Sequence, residues 1–205
     1  GGRLGQLAIV PEAFAAGPLS LLDPAIGGLE LGLGVVGGVL SAAYVGRLLG
    51  APVDRWATML AVPLLIAIGG GKLAMAVGGS GQGSPLEAAW STAYLGTGPW
   101  GSLAPALPSH PAQLYEGFAT LILALMVMVG MGFGSGSRDG RLLLIALGGW
   151  AAIRAAVSVT WRDPVVLGPF PVGGVLAIGI VVGAAIVLVG AALWSSRRMR
   201  ARAAG

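Results

Sequence analysis

Five stretches of this chain, at about residues 31–49, 56–78, 113–133, 141–160 and 173–195, are each long and apolar enough to cross a bilayer. A hydrocarbon core about 30 Å thick takes roughly 20 apolar helical residues to span. Lipid offers no partners to backbone N–H and C=O groups, so only helices or closed barrels can cross it. A barrel would alternate apolar and polar residues over segments of about ten, and no such pattern runs through the sequence. The fold class is therefore all-α and polytopic: a helical bundle with about five transmembrane helices and a long outer-side arm. Only 10% of the residues are charged, against roughly 25% in soluble domains, and mean hydropathy is +0.87. The 37 glycines suit helices packed through small faces, since lipid supplies no hydrophobic drive between them.

Residues 1–205 read as one membrane-embedded domain without internal repeats. Residues 1–30 form a helix end and an outer loop, 31–78 two spans, 79–112 the arm, 113–195 three spans, and 196–205 a basic tail. The run GSGSRDG, 134–140, is a flexible turn that makes its flanking helices antiparallel neighbours. Cations flanking the spans set the orientation. Arg47, Arg55, Arg138, Arg141 and the tail residues Arg197, Arg198, Arg200 and Arg202 fall on one side, against Arg3 and Arg162 on the other. Eight against two places the C-terminus in the cytoplasm, with the arm outside. Within the arm, Trp90, Tyr94 and Trp100 stand among Gly and Pro, as rings at headgroup level do. The net charge of +4 is concentrated in the tail, where it anchors to anionic lipid heads rather than nucleic acid. The sequence begins Gly-Gly-Arg, so an upstream part is expected.

With no Cys and a single His, disulfides, thiolate sites and a Cys nucleophile are excluded and a metal cage is disfavoured. Chemistry must then come from Arg, Lys, His, Glu, Tyr or the backbone. Lys72 stands near the outer end of the second span. A cation within a span costs about 2.5–3.5 kcal/mol at the helix centre and marks a polar cavity, unless it snorkels to the headgroups. Arg154 lies within the fourth span; its planar fork suits a phosphate, or it pairs with Glu116 of the neighbouring span. Arg162, in TWRDP just beyond that span, is a second candidate phosphate ligand, although Asp-Pro by itself reads as a turn. The densest polar run is HPAQLYE, 110–116. Gln113 and Glu116 are three apart and share a helix face; Glu116 also suits the positive end of the helix dipole. His110 precedes the helix on a turn. Together these residues form a polar patch at the outer mouth of the bundle, suited to an anionic lipid headgroup entering sideways. Cations would hold the phosphate and a His or carboxylate would move a proton.

HPAQLYE resembles the H-P-(S/T/A)-Q-L-Y-E signature of prolipoprotein diacylglyceryl transferases, and weaker likenesses run along the chain in order. GGRLG at 1–5 resembles G-(G/A)-R-(I/L)-G-Y, with Gln6 in place of Tyr. GGLELGLGVVG at 27–37 resembles G-G-M-S-F-H-G-G-L-I-G. GGGKLAMAVGGSGQG at 69–83 resembles G-x-G-R-(I/L)-G-N-F-I-N-G-E-x-x-G, and WRDPVVLG at 161–168 resembles F-R-x-P-D-x-x-L-G. The resemblance implies a seven-helix fold, of which this chain would hold the last five helices and the end of the second. It implies transfer of a diacylglyceryl group from phosphatidylglycerol to a lipobox cysteine of a prolipoprotein, without a cofactor. On that footing His110, Gln113, Tyr115 and Glu116 are candidate catalytic residues. Arg3, Lys72, Gly83, Arg154 and Arg162 are candidate substrate-binding residues, for phosphatidylglycerol or another anionic phospholipid. The departures are specific. The motif's His falls on Gly32, its Arg on Lys72 and its Asn on Met75, while its Asn-Gly-Glu becomes Gly78, Gly79 and Ser80. The Arg and Glu of R-x-x-x-E-F-F-R fall on Ala155 and Val159, and Arg154 substitutes for that Arg only with a one-residue shift. An inactive paralogue that binds anionic lipid, or a transporter or complex subunit, is the alternative.

Overall fold

The structure, a computed structural model, describes residues 1–15, 17, 19, 22–23, 28–94, 107–132 and 139–203, with side chains as far as Ser196. Trp100, Arg138 and Gly27, and the side chains of the tail arginines, lie outside the described residues, as does most of GSGSRDG.

A short helix α1 (Gly2–Ile9) and a 3-10 turn (Pro11–Phe14) precede five long helices: α2 (Leu31–Leu48), α3 (Val53–Val77), α4 (Ala112–Gly132), α5 (Arg141–Ser158) and α6 (Val172–Ala203). Each of the five is long and apolar enough to cross a membrane, α6 over Val172–Ser196. The observed architecture is thus an all-α polytopic bundle. Among the described residues the one sheet is the two-stranded antiparallel hairpin of β1 (Val165–Leu167) and β2 (Phe170–Pro171).

The helices end where the sequence supplies stop signals. Gly50 takes φ +67° after α2, and Ala51 N–H donates to the Gly46 carbonyl at 2.8 Å. Gly79, at φ +75°, does the same after α3, where Ser80 N–H reaches Met75 O at 2.9 Å. Both are Schellman closures, in which a left-handed residue lets the chain satisfy an orphan carbonyl. Pro111 opens α4, where a missing N–H costs nothing, and its carbonyl accepts from Tyr115 N at 3.1 Å.

Helices α3, α4 and α5 enclose the core. Ala57, Ala61, Leu65 and Ile68 form one buried stripe on α3. Facing it on α5 are Leu143, Ala146, Leu147 and Trp150, the last fully buried. Small residues bring the backbones close: a Cβ on Gly69 would lie 2.8 Å from Leu121 Cγ, and one on Gly117 would lie 2.9 Å from Leu73 Cδ2. Ile66, Phe118, Ile122 and Ile145, all apolar, are exposed, as a bilayer solvent allows. The buried stripes carry buried charge, among the described residues, at one end of the bundle, where α2, α4 and α6 begin and α3 and α5 finish.

Candidate active site

Four charged side chains meet at that end. Lys72 is five residues from the end of α3 and Glu116 is four residues into α4, so each sits roughly 6–8 Å inside its helix at 1.5 Å per residue. Lys72 Nζ lies 2.7 Å from Glu116 Oε2. Arg154, four residues before the end of α5, donates from Nη1 to Glu116 Oε1 at 3.1 Å and from Nη2 to Glu30 Oε1 at 3.0 Å. Glu30, just ahead of α2, accepts from Gly32 N–H at 2.7 Å and Leu33 N–H at 2.6 Å. Charge thus alternates along one connected line: Lys72, Glu116, Arg154, Glu30, then the positive end of α2. Two cations and two carboxylates cancel. Glu116 is fully buried and Arg154 is 6% exposed, where unpaired charge would be costly. The Arg154 guanidinium also lies over the Trp161 ring, with Cζ 4.7 Å from its centroid, a contact favourable to a desolvated cation. Its Nε has no partner among the described residues.

A cavity of about 580 Å³ opens beside this line, with Glu30, Lys72, Arg154, Trp161, Arg162 and Gln82 on its walls. That size is ordinary for a ligand site. Arg162 donates from Nε to Gly83 O at 2.6 Å and from Nη2 to Ser109 Oγ at 2.8 Å. Both acceptors are neutral, so no carboxylate cancels its charge among the described residues. Asp163, exposed, stands at the mouth.

The rest of HPAQLYE faces the arm. Gln113 Nε2 donates to Tyr94 Oη at 2.9 Å, and Tyr94 in turn donates to the Ala76 carbonyl at 2.7 Å. This ties α4, the arm and the end of α3 together. His110 meets Tyr115 edge-on, with centroids 6.1 Å apart, and is not among the cavity-lining residues. Its carbonyl accepts from Gly83 N–H at 2.7 Å, and Ser84 N–H donates to Thr160 O at 2.7 Å. Gly83 is wedged here, with no room for a Cβ between the Thr160 carbonyl and His110. Arg3 lies apart on α1 and donates to the Asp23 carbonyl at 2.7 Å.

The structure therefore gathers Lys72, Arg154 and Arg162 at one cavity, buries Glu116 behind Lys72 and Arg154, and places His110, Gln113, Tyr115 and Gly83 in the framework beside it. Lys72 is held by Glu116 rather than by headgroups, and Arg154 points into the bundle. Sequence reasoning missed Glu30 and Trp161. A charge count could have found Glu30, because two cations in the spans against Glu116 alone leave one cation uncompensated.

The family described as prolipoprotein diacylglyceryl transferase matches residues 1–190. Among similar proteins, a phosphatidylglycerol–prolipoprotein diacylglyceryl transferase of Bordetella avium (strain 197N) is 27% identical over 206 residues, covering 97% of this chain and 74% of its own length. One from Agrobacterium fabrum is 26% identical over 203 residues, covering 98% and 69%. A third, from Brucella ovis, is 27% identical over 208 residues, covering 98% and 70%.

Proposed function

Because the chain belongs to the prolipoprotein diacylglyceryl transferase family, we propose that it moves a diacylglyceryl group from phosphatidylglycerol to the cysteine thiol of a prolipoprotein. The reading is carried by one observation: a connected line of buried charges faces a cavity at one end of a lipid-facing bundle. In this reaction the thiol sulfur attacks the glyceryl carbon that bears the phosphate ester. A C–S bond forms as the C–O bond breaks, and the electron pair leaves with glycerol phosphate. The thiol proton passes to the departing phosphate, while Glu116 holds Lys72 and Arg154 in place behind it. Lys72, Arg154 and Arg162 hold the phosphate, where fixed cations in a water-poor site stabilise the charge that develops on the leaving oxygen. Arg162 is the cation whose hydrogen bonds go to neutral groups, since Lys72 and Arg154 are already paired with Glu116 and Glu30. His110, Gln113, Tyr115 and Gly83 keep the arm against the cavity, and Arg3 meets the lipid from α1. The protein lies in the bacterial cytoplasmic membrane with its C-terminus in the cytoplasm and the cavity outside, where a secreted precursor arrives.

The test is transfer of label from phosphatidylglycerol to a lipobox peptide with a free Cys, by this chain in liposomes. Labelled peptide from the parent, and its loss in Lys72→Ala, Glu116→Ala and Arg162→Ala, is the expected result. A second reading, lipid binding without transfer, is favoured by Gly32 and Lys72 standing where the resembling motifs have His and Arg. Retained phosphatidylglycerol with unlabelled peptide would decide for it.

A further inference from the structure

Glu30 is 3% exposed, and every polar contact it makes fixes it in place. Its carboxylate takes two backbone N–H groups of α2 at 2.7 and 2.6 Å. Its own N–H donates to the Gly2 carbonyl at 3.0 Å. On the other side, a Cβ on Gly5 would come within 2.5 Å of Glu30 Cβ and 2.9 Å of Oε2, so α1 approaches closely only because residue 5 is Gly. A Cβ on Gly32 would fall 3.0 and 3.2 Å from the two carboxylate oxygens. The carboxylate thus occupies a slot walled by α1 and α2, and from it reaches Arg154 Nη2 on α5 at 3.0 Å. Glu116 holds the same guanidinium from α4 at 3.1 Å. Removing Glu30 would leave Arg154 tied on one side, with its charge and that of Lys72 both drawn to Glu116.

We propose that Glu30 is the positioning residue of this site: wedged between α1 and α2, it holds Arg154 where the guanidinium can meet a lipid phosphate in the cavity. The assignment rests on the transferase reading for its ligand. It makes the start of α2 part of the site's support, since a constellation is only as well placed as the groups that lock it. It also couples residues 30 and 32, which share one slot.

Glu30→Asp separates positioning from structure. Aspartate caps a helix at least as well as glutamate, but is one methylene, about 1.5 Å, shorter. A shift of that size at a binding group costs roughly tenfold to a hundredfold. The measurements are phosphatidylglycerol affinity of the detergent-solubilised full chain, unfolding temperature, and transfer to the lipobox peptide. The expected result is an unchanged unfolding temperature with affinity down at least about tenfold and transfer down with it. Unchanged affinity and transfer would overturn the proposal; so would affinity and transfer that fall only in step with a lowered unfolding temperature, which would make Glu30 a structural residue and nothing more. If the parent binds the lipid but transfers nothing, the transferase reading fails and the affinity arm still decides the role of Glu30. A parent that does not bind the lipid at all would end both.

Discussion

At the scale of single residues, Glu116 is the centre of the site because, among the described residues, it alone touches both spanning cations. Replacing it by Gln leaves Lys72 and Arg154 facing Glu30 alone, and an uncompensated buried charge costs about 3–5 kcal/mol. Glu116→Gln should therefore lower the unfolding temperature in detergent well below that of Lys72→Met, which leaves Glu116 still bound to Arg154. The double variant should recover part of the loss, since residues in one network are not additive. Simple addition of the two losses would show that Lys72 and Glu116 do not interact. Much of this network was legible: a Lys, an Arg and a Glu within apolar runs cannot be explained by lipid. Glu30 was legible only through the charge balance of the spans, because taken alone an acid just ahead of an apolar run reads as an ordinary cap. Nor could spacing alone divide HPAQLYE. Gln113 and Glu116 do share the buried face of α4, yet Gln113 meets Tyr94 of the arm and Glu116 meets the cations.

At the scale of elements, the Lys72–Glu116 pair depends on how closely α3 and α4 approach one turn away. Gly69 and Gly117 stand where those helices nearly touch, and a Cβ on Gly69 would lie 3.1 Å from the Gly117 carbonyl as well as against Leu121. Gly69→Val should push the helices apart, at a cost of about 1–3 kcal/mol typical of overpacking, and reduce transfer more than lipid-facing Ile66→Val does. Equal effects of the two would mean the crossing is not set by the glycines. The spans themselves were readable, because length and apolarity are what the bilayer selects; the helices Leu31–Leu48 and Ala112–Gly132 start and stop within about a residue of the expected 31–49 and 113–133. Their inward faces were not. On α5 the buried Leu143 and the exposed Ile145 are equally apolar, so the periodicity that reveals a soluble helix has no contrast here. That is why the direction of Arg154 could not be taken from the sequence, although it continues the stripe of Leu147, Trp150 and Ala151.

At the scale of the whole molecule, helices alternate in direction, and this fixes which ends lie together. The hairpin β1–β2 and the cavity share one end, and the turn at Ala51 belongs to the other. Arg47, Arg55 and Arg141 sit at the Ala51 end, and α6 runs toward it as far as Ala203. Cations on short loops hold a membrane protein by the side they stay on, so the Ala51 end should face the cytoplasm. The sequence has no Cys, which makes this directly measurable with single substitutions. Val166 is 58% exposed on the hairpin, and Ala51 is exposed in its turn. In intact bacterial cells, Val166→Cys should react with a membrane-impermeant maleimide, and Ala51→Cys should react only after the membrane is opened. The reverse pattern would put the cavity in the cytoplasm, away from any secreted precursor, and the proposed thiol acceptor would have to be abandoned even if phosphatidylglycerol were bound.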